Sequence, residues 1–150
     1  MQIRLLSILF VLSALLLPLS SIQAADDAQV MGDAAHKLVI QVNSKDPKTQ
    51  KIALNNVANL QAHYGMDNIT IEVVAYGPGL SLLTNKSREG KRVSSLIQQN
   101  VTFSACNNTM KAIERKTGHK PILLTNVGVV PAGVARIMEL QEQGYSYIKP

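Results

Sequence analysis

The chain has no tryptophan, two phenylalanines and one cysteine among its 150 residues. Each scarcity excludes something. Binding to single-stranded nucleic acid uses rings on which bases stack, set in a concentrated basic groove. Here rings are few, and the 15 lysines and arginines are scattered against 10 acidic residues. That balance reads as a mildly basic, solvated surface, and no nucleic-acid partner is expected. One cysteine cannot form an intramolecular disulfide, so no covalent staple holds the fold. His36, His63 and His119 are far apart and have no metal-ligand spacing, so no metal is expected. No nucleotide-binding loop or paired-carboxylate motif is present, and no cofactor is expected. A serine-based constellation would assemble in space and leave no such linear trace.

Long apolar runs are also missing. Met1 to Arg4 gives a short positive start, and Leu5 to Leu17 is apolar except for Ser7 and Ser13. Pro18 and Ser20-Ser21 end the run, and Ile22-Gln23-Ala24 is an acceptable cleavage site. This is the layout of a secretory signal peptide over residues 1–24. A retained membrane anchor is the alternative, but the run is shorter than the roughly 18–20 residues that span a bilayer, so no stable anchor is expected. With no cysteine near the cleavage site, a lipoprotein is disfavoured. The expectation is export, most simply to a bacterial periplasm. Cleavage would remove one charge, Arg4, and leave 126 residues with 14 basic and 10 acidic side chains. That length suits one domain with a real core. In an oxidising compartment, a leftover thiol implies burial, intermolecular pairing or a reactive role.

Residues 25–36 are polar, small and aperiodic, and read as a flexible leader. Lys37 to Val42 is a nearly continuous apolar run that suits a central strand. Asp46 is the expected N-cap and Pro47 the first residue of a helix carrying Ala53, Val57, Leu60 and Tyr64, with Gly65 its stop. Ile69 to Tyr76 is the next strand. Gly77-Pro78-Gly79 then turns the chain, Leu80 to Thr84 suggests a short helical turn, and Asn85 to Lys91 reads as a loop. Val93, Leu96 and Ile97 mark a helix ending near Asn100, and Val101 to Ala105 is a strand. A helix follows with Met110 and Ile113 inward and Gly118 as its stop. Pro121 to Asn126 reads as a loop or turn, and Val127 to Val130 as a short strand. Pro131 opens a last helix with Val134, Ile137, Met138 and Leu140 on one face. Tyr145 to Ile148 is a final strand, whose Tyr145 and Tyr147 share a face for packing or a subunit interface.

Strands alternating with helices predict an α/β fold: a mainly parallel sheet with helices on both faces. Right-handed crossovers gather the strand-to-helix loops at one edge, where open α/β sheets bind ligands. Asn43-Ser44-Lys45, Gly77-Pro78-Gly79, Cys106-Asn107-Asn108 and Pro131-Ala132-Gly133 belong to that edge. Cys106 is thus the first candidate for chemistry. It follows a strand and precedes a helix, where free backbone N–H groups and the helix dipole favour thiolate. The alternative for Cys106 is a small buried hydrophobe. Gly77 and Gly79 read either as a turn around Pro78 or as a ligand-facing loop. Asn107 and Asn108 read as helix caps or as groups orienting a sulfur species.

These pieces, in this order, resemble the DsrE/DsrF-like family over Lys37 to Pro150. The resemblance rests on the first strand and helix, on Gly77-Pro78-Gly79, and on Phe103-Ser104-Ala105-Cys106-Asn107-Asn108-Thr109-Met110. It also rests on Val130-Pro131-Ala132-Gly133-Val134-Ala135-Arg136 and on Leu140 to Pro150. Cytoplasmic members carry sulfur as a cysteine persulfide, and this chain looks most like the exported branch. The resemblance implies a five-stranded α/β fold (DsrE/DsrF-like, YchN-like) and assembly into homotrimers or hexamers. It also implies Cys106 as sulfur acceptor, helped by the N–H groups of Asn108 and Thr109, with a donor or acceptor protein as partner. A non-catalytic oligomeric module binding a small ligand or a protein is the competing expectation.

Overall fold

Leu38 to Val42 is apolar at every position except Gln41, a pattern that is stable as a strand when both faces are covered. The computed structural model describes residues 34–150. The expected signal peptide, and the expected leader up to residue 33, lie outside them. In chain order the elements are β1 (His36–Val42), α1 (Pro47–Tyr64), β2 (Ile69–Ala75), a 3₁₀ helix (Gly77–Leu83), α2 (Gly90–Ile97), β3 (Thr102–Cys106), α3 (Asn107–Thr117), β4 (Gly128–Val130), α4 (Gly133–Glu142) and β5 (Ser146–Ile148). The five strands form one sheet in the order β4-β3-β2-β1-β5, with every pairing parallel. The α/β expectation is met, and the sheet is fully parallel.

That strand order explains an asymmetry between the two faces. From β1 to β4 the chain steps outward in one direction, and it then crosses back over the sheet to place β5 beside β1. Crossovers of one hand that travel in opposite directions lie on opposite faces. The outward steps cover one face, and among the described residues α4 alone covers the other. On the first face Ile40, Val73 and Phe103 pack with Leu54, Leu82 and Val93 in the main core. On the α4 face the buried apolar cluster is Val39, Val74, Ile137 and Leu140, with Tyr76 and Tyr145 against it.

Local chemistry sets the helix ends. Asp46 accepts hydrogen bonds from the N–H and the hydroxyl of Thr49, both at 2.8 Å, and Pro47 opens α1. Gly65 and Gly118 close α1 and α3 at φ +87° and +77°, a region that glycine enters without steric cost.

Several boundaries differ from the sequence reading. The Gly77-Pro78-Gly79 turn and the helical turn after it are one 3₁₀ helix, because Leu80, Leu82 and Leu83 all bury against the sheet. α2 begins at Gly90, inside the expected loop, where the glycine packs 3.3 Å from the Leu124 side chain, measured from an ideal Cβ position. The 121–126 segment is pinned by an isolated antiparallel bridge between Thr84 and Leu123. α4 starts at Gly133 and not at Pro131, whose carbonyl accepts the Asn108 N–H at 3.3 Å. The expected apolar face of α4 also divides. Ile137 and Leu140 are buried, while Val134 and Met138 are 54% and 58% exposed. At 3.6 residues per turn, Gly133, Ile137 and Leu140 share one stripe with Arg136, and Val134 and Met138 fall beside it.

Candidate functional site

β3 runs one residue further than its apolar alternation suggests, so Cys106 is both its last residue and the N-cap of α3. Its extended backbone (φ −73°, ψ 116°) is that of an ordinary N-cap. In such a position a serine or aspartate oxygen takes hydrogen bonds from the second or third helical N–H. Here the cysteine sulfur stands in that place without a side-chain cap hydrogen bond, near the N–H groups of Thr109 and of Asn108, the latter donating to the Pro131 carbonyl. The Thr109 hydroxyl and the Gly133 N–H, from the start of α4, also favour the ionised thiol. Two helix starts therefore converge on one sulfur.

Hydrogen bonds between loops hold this arrangement. The Gly77 N–H donates to Thr109 Oγ1 at 2.9 Å, and the Asn108 N–H donates to the Pro131 carbonyl at 3.3 Å. Gly133 approaches so closely that a Cβ there would lie 3.1 Å from Tyr76 Cβ and 3.3 Å from Cys106 Cβ. Three of the four expected loops thus meet at the thiol. The fourth, Asn43-Ser44-Lys45, packs against Gly79 instead, where an added Cβ would sit 2.8 Å from Asn43 Cα.

Cys106 is 5% exposed. Burial is the largest single influence on its ionisation and pushes the thiol up. The Thr109 hydroxyl and the N–H groups of Gly133, Thr109 and Asn108 together outweigh it, and the thiol lies below its ordinary range. The acidity does not come from an imidazole. His36 and His63 both pack on the Tyr64 ring, at centroid distances of 4.0 and 4.6 Å, by the amino end of β1. Among the described residues, no group of three or more His, Cys, Asp or Glu is placed to hold a metal ion.

On the α4 face of the sheet lies a second polar feature. Glu72, 3% exposed in the middle of β2, accepts the Ser104 hydroxyl at 2.6 Å. Arg136 of α4 grips the same carboxylate with Nε at 2.9 Å and Nη2 at 2.7 Å. Arg136 Nη1 also lies 3.6 Å from Glu139. The sequence reading does not single out Glu72, Ser104 or Arg136. A usable signal was present, because Glu72 is the one charged residue in a strand that must be covered on both faces, and a buried carboxylate calls for a cation.

Each residue singled out from the sequence has a definite place. Cys106, Asn108 and Thr109 form the thiol's immediate surroundings, and Gly77 orients Thr109. Asn107 and Asn108 are the first two residues of α3 and do not cap it, since the strand's extra residue moves the N-cap to Cys106. Gly79 is buried against the end of β1, where the contact leaves no room for a side chain. Tyr145 packs on the α4 side, with Lys37 Nζ 5.9 Å from its ring centroid, and the Tyr147 hydroxyl donates to Gln41 Oε1 at 2.7 Å.

Comparison with known proteins bears on the same segment. The family described as the DsrE/DsrF-like family matches residues 36–150. A solved structure of MTH1491, a protein of unknown function from Methanobacterium thermoautotrophicum, is similar at 35% identity. The match covers 77% of this chain and 99% of that one, with a TM-score of 0.69. BT1422 of Bacteroides thetaiotaomicron, a conserved protein of unknown function, shares the fold at 16% identity. There the coverage is 76% of this chain and 94% of that one, with a TM-score of 0.50. No functionally curated protein matches.

Proposed function

Since the chain belongs to the DsrE/DsrF-like family, we propose that it carries sulfur, with Cys106 as the acceptor. The observation that supports this most directly is the position of Cys106 at the start of α3 with the start of α4 packed against it, a Cβ at Gly133 lying 3.3 Å from Cys106 Cβ. The Cys106 thiolate attacks the outer sulfur of a donor persulfide. A new S–S bond forms on Cys106, the donor's S–S bond breaks, and the donor leaves as a thiolate. One sulfur atom is transferred, and no external oxidant or reductant is consumed. The same N–H groups that favour the thiolate then face the anionic persulfide. With Cys106 only 5% exposed, a thin terminal sulfur reaches it more readily than a bulky electrophile.

Export to the periplasm and assembly into a homotrimer or hexamer belong to the same proposal. Val134 and Met138 supply exposed apolar surface for such an assembly. Light scattering of the wild type and Met138→Glu tests the assembly, and cell fractionation tests the location.

The central test is intact mass after incubation with inorganic polysulfide, before and after reduction. A reducible gain of one sulfur atom, absent in Cys106→Ser, is the expected result. A wild-type chain that gains no sulfur from any sulfane donor would overturn the carrier reading in favour of a non-catalytic binding module.

A further inference from the structure

We propose that Glu72 and Arg136 are positioning residues for Cys106: their ion pair sets how α4 sits on the sheet, and so holds the Gly133 N–H against the sulfur. The assignment rests on the reading of Cys106 as the reacting group.

The geometry supports it in three steps. First, beyond the Asn108 N–H bond to the Pro131 carbonyl just ahead of the helix, the Arg136 grip is the polar side-chain contact that ties α4 to the sheet among the described residues. Among the described residues α4 lies alone on its face, and of its side chains only Ile137 and Leu140 are buried in the small apolar cluster there. Apolar contacts are non-directional and tolerate sliding, whereas a two-point guanidinium–carboxylate grip does not. Second, the sheet end of the grip is rigid. Glu72 is central in β2, paired in register with Val39 of β1 and Thr102 of β3, and its Oε1 also takes the Ser104 hydroxyl at 2.6 Å. Third, the helix end of the grip is short. Arg136 is three residues from Gly133, about 4.5 Å along the axis. Any slip at Arg136 therefore appears almost undiminished at Gly133, where clearances to Cys106 and Tyr76 are already tight.

Charge alone predicts a different outcome from positioning. The titratable groups on the sheet face shared with Cys106 are Lys37, Glu72, Tyr76, Tyr145 and Tyr147, and α4 adds Arg136 and Glu139. From α3, the nearest charged residue in sequence is Lys111, which is exposed. If Arg136 acted on the thiol through its charge, Arg136→Met would disfavour thiolate, while Glu72→Gln, which unmasks the cation, would favour it. If the pair acts by placing α4, both substitutions disfavour thiolate.

The chain has one cysteine, so the far-ultraviolet absorbance difference between wild type and Cys106→Ser reports this thiolate alone. It does so without requiring a reagent to reach the sulfur. Titrating that difference against pH should show the midpoint rising in both Arg136→Met and Glu72→Gln. The thiol's acid dissociation constant should fall about three- to tenfold, a tenfold fall corresponding to a rise of one pH unit in the midpoint. Arg136→Lys, which keeps the charge with a one-point contact, should fall in between. Midpoints that move in opposite directions, or do not move while thermal stability drops, would overturn the assignment. Arg136→Lys and Glu72→Gln keep a hydrogen-bonding partner at the buried site, so the test stands even where Arg136→Met fails to fold. Persulfide loading is read separately. A chain that never gains sulfur but shows the parallel rise would retain the positioning pair and lose the carrier function.

Discussion

The Gly77 N–H donates to the hydroxyl oxygen of Thr109 at 2.9 Å, which leaves the hydroxyl's own proton free to point at Cys106. A threonine hydroxyl has one proton to give, and occupying its oxygen with an incoming donor selects the rotamer that gives it to sulfur. Thr109→Val removes this donor at nearly constant shape. The midpoint of the thiol's titration is expected to rise by about half a pH unit or more, with Thr109→Ser retaining most of the wild-type acidity. A valine variant that titrates like the wild type would show that the backbone N–H groups suffice.

Linkage gives the sign of a pH effect on stability. The folded thiol ionises below the unfolded one, whose value is about 8.5. Its contribution is complete above the unfolded value and is lost as the pH falls through the folded one. The stability difference between wild type and Cys106→Ser should therefore grow in favour of the wild type from the folded midpoint up to about pH 8.5, at no more than about 1.4 kcal/mol per pH unit. Urea unfolding at a series of pH values measures it. A flat difference would mean that folding leaves the thiol unperturbed.

Gly77 and Gly79 are expected to separate cleanly. Gly77 has φ +52° and open space around it, so Gly77→Ala costs only backbone strain, about 1–2 kcal/mol. At Gly79 an added Cβ would collide with the Val42 carbonyl and Asn43, which are backbone atoms that cannot rotate away. Gly79→Ala should not yield a cooperatively folding protein. If its urea midpoint lay close to that of Gly77→Ala, the packing of the 3₁₀ helix on β1 would be wrong.

Gly133→Ala tests the approach of α4 to the thiol. Alanine gains about 0.5–1 kcal/mol over glycine in a helix, but overpacking costs about 1–3 kcal/mol. With Tyr76 and Cys106 Cβ atoms at 3.1 and 3.3 Å, the second effect wins. The expected variant is modestly destabilised and has a less acidic thiol by pH titration. A stabilised variant with an unchanged thiol would contradict this packing.

The sequence was most informative where one physical signal dominated. Continuous apolar runs, alternation and helical periodicity located the five strands and four α-helices of the described residues, and Asp46-Pro47 and Gly65 marked the ends of α1 because caps act over three or four residues. Cys106 could be placed beside Gly77 because parallel strands bring their following loops to one edge. What escaped was determined by partners distant in sequence. The Glu72–Arg136 pair spans 64 residues, and no local pattern reveals which cation meets which acid. Val134 and Met138 look like core because periodicity fixes a helix's apolar residues but not its rotation on a sheet that it covers alone. The Asn107 and Asn108 capping reading failed through a one-residue extension of β3, a shift smaller than alternation can define.

The last strand has a consequence for how the domain comes into being. β5 pairs with β1, so Leu38 meets Ser146, a residue 108 positions further along the chain. That side of β1 has no neighbour until β5 has left the ribosome. Until then an apolar strand presents an open edge, the kind of surface that associates with other chains. Completion of this edge therefore waits on β5, and a chain that stops short of that strand is born with its first strand unguarded.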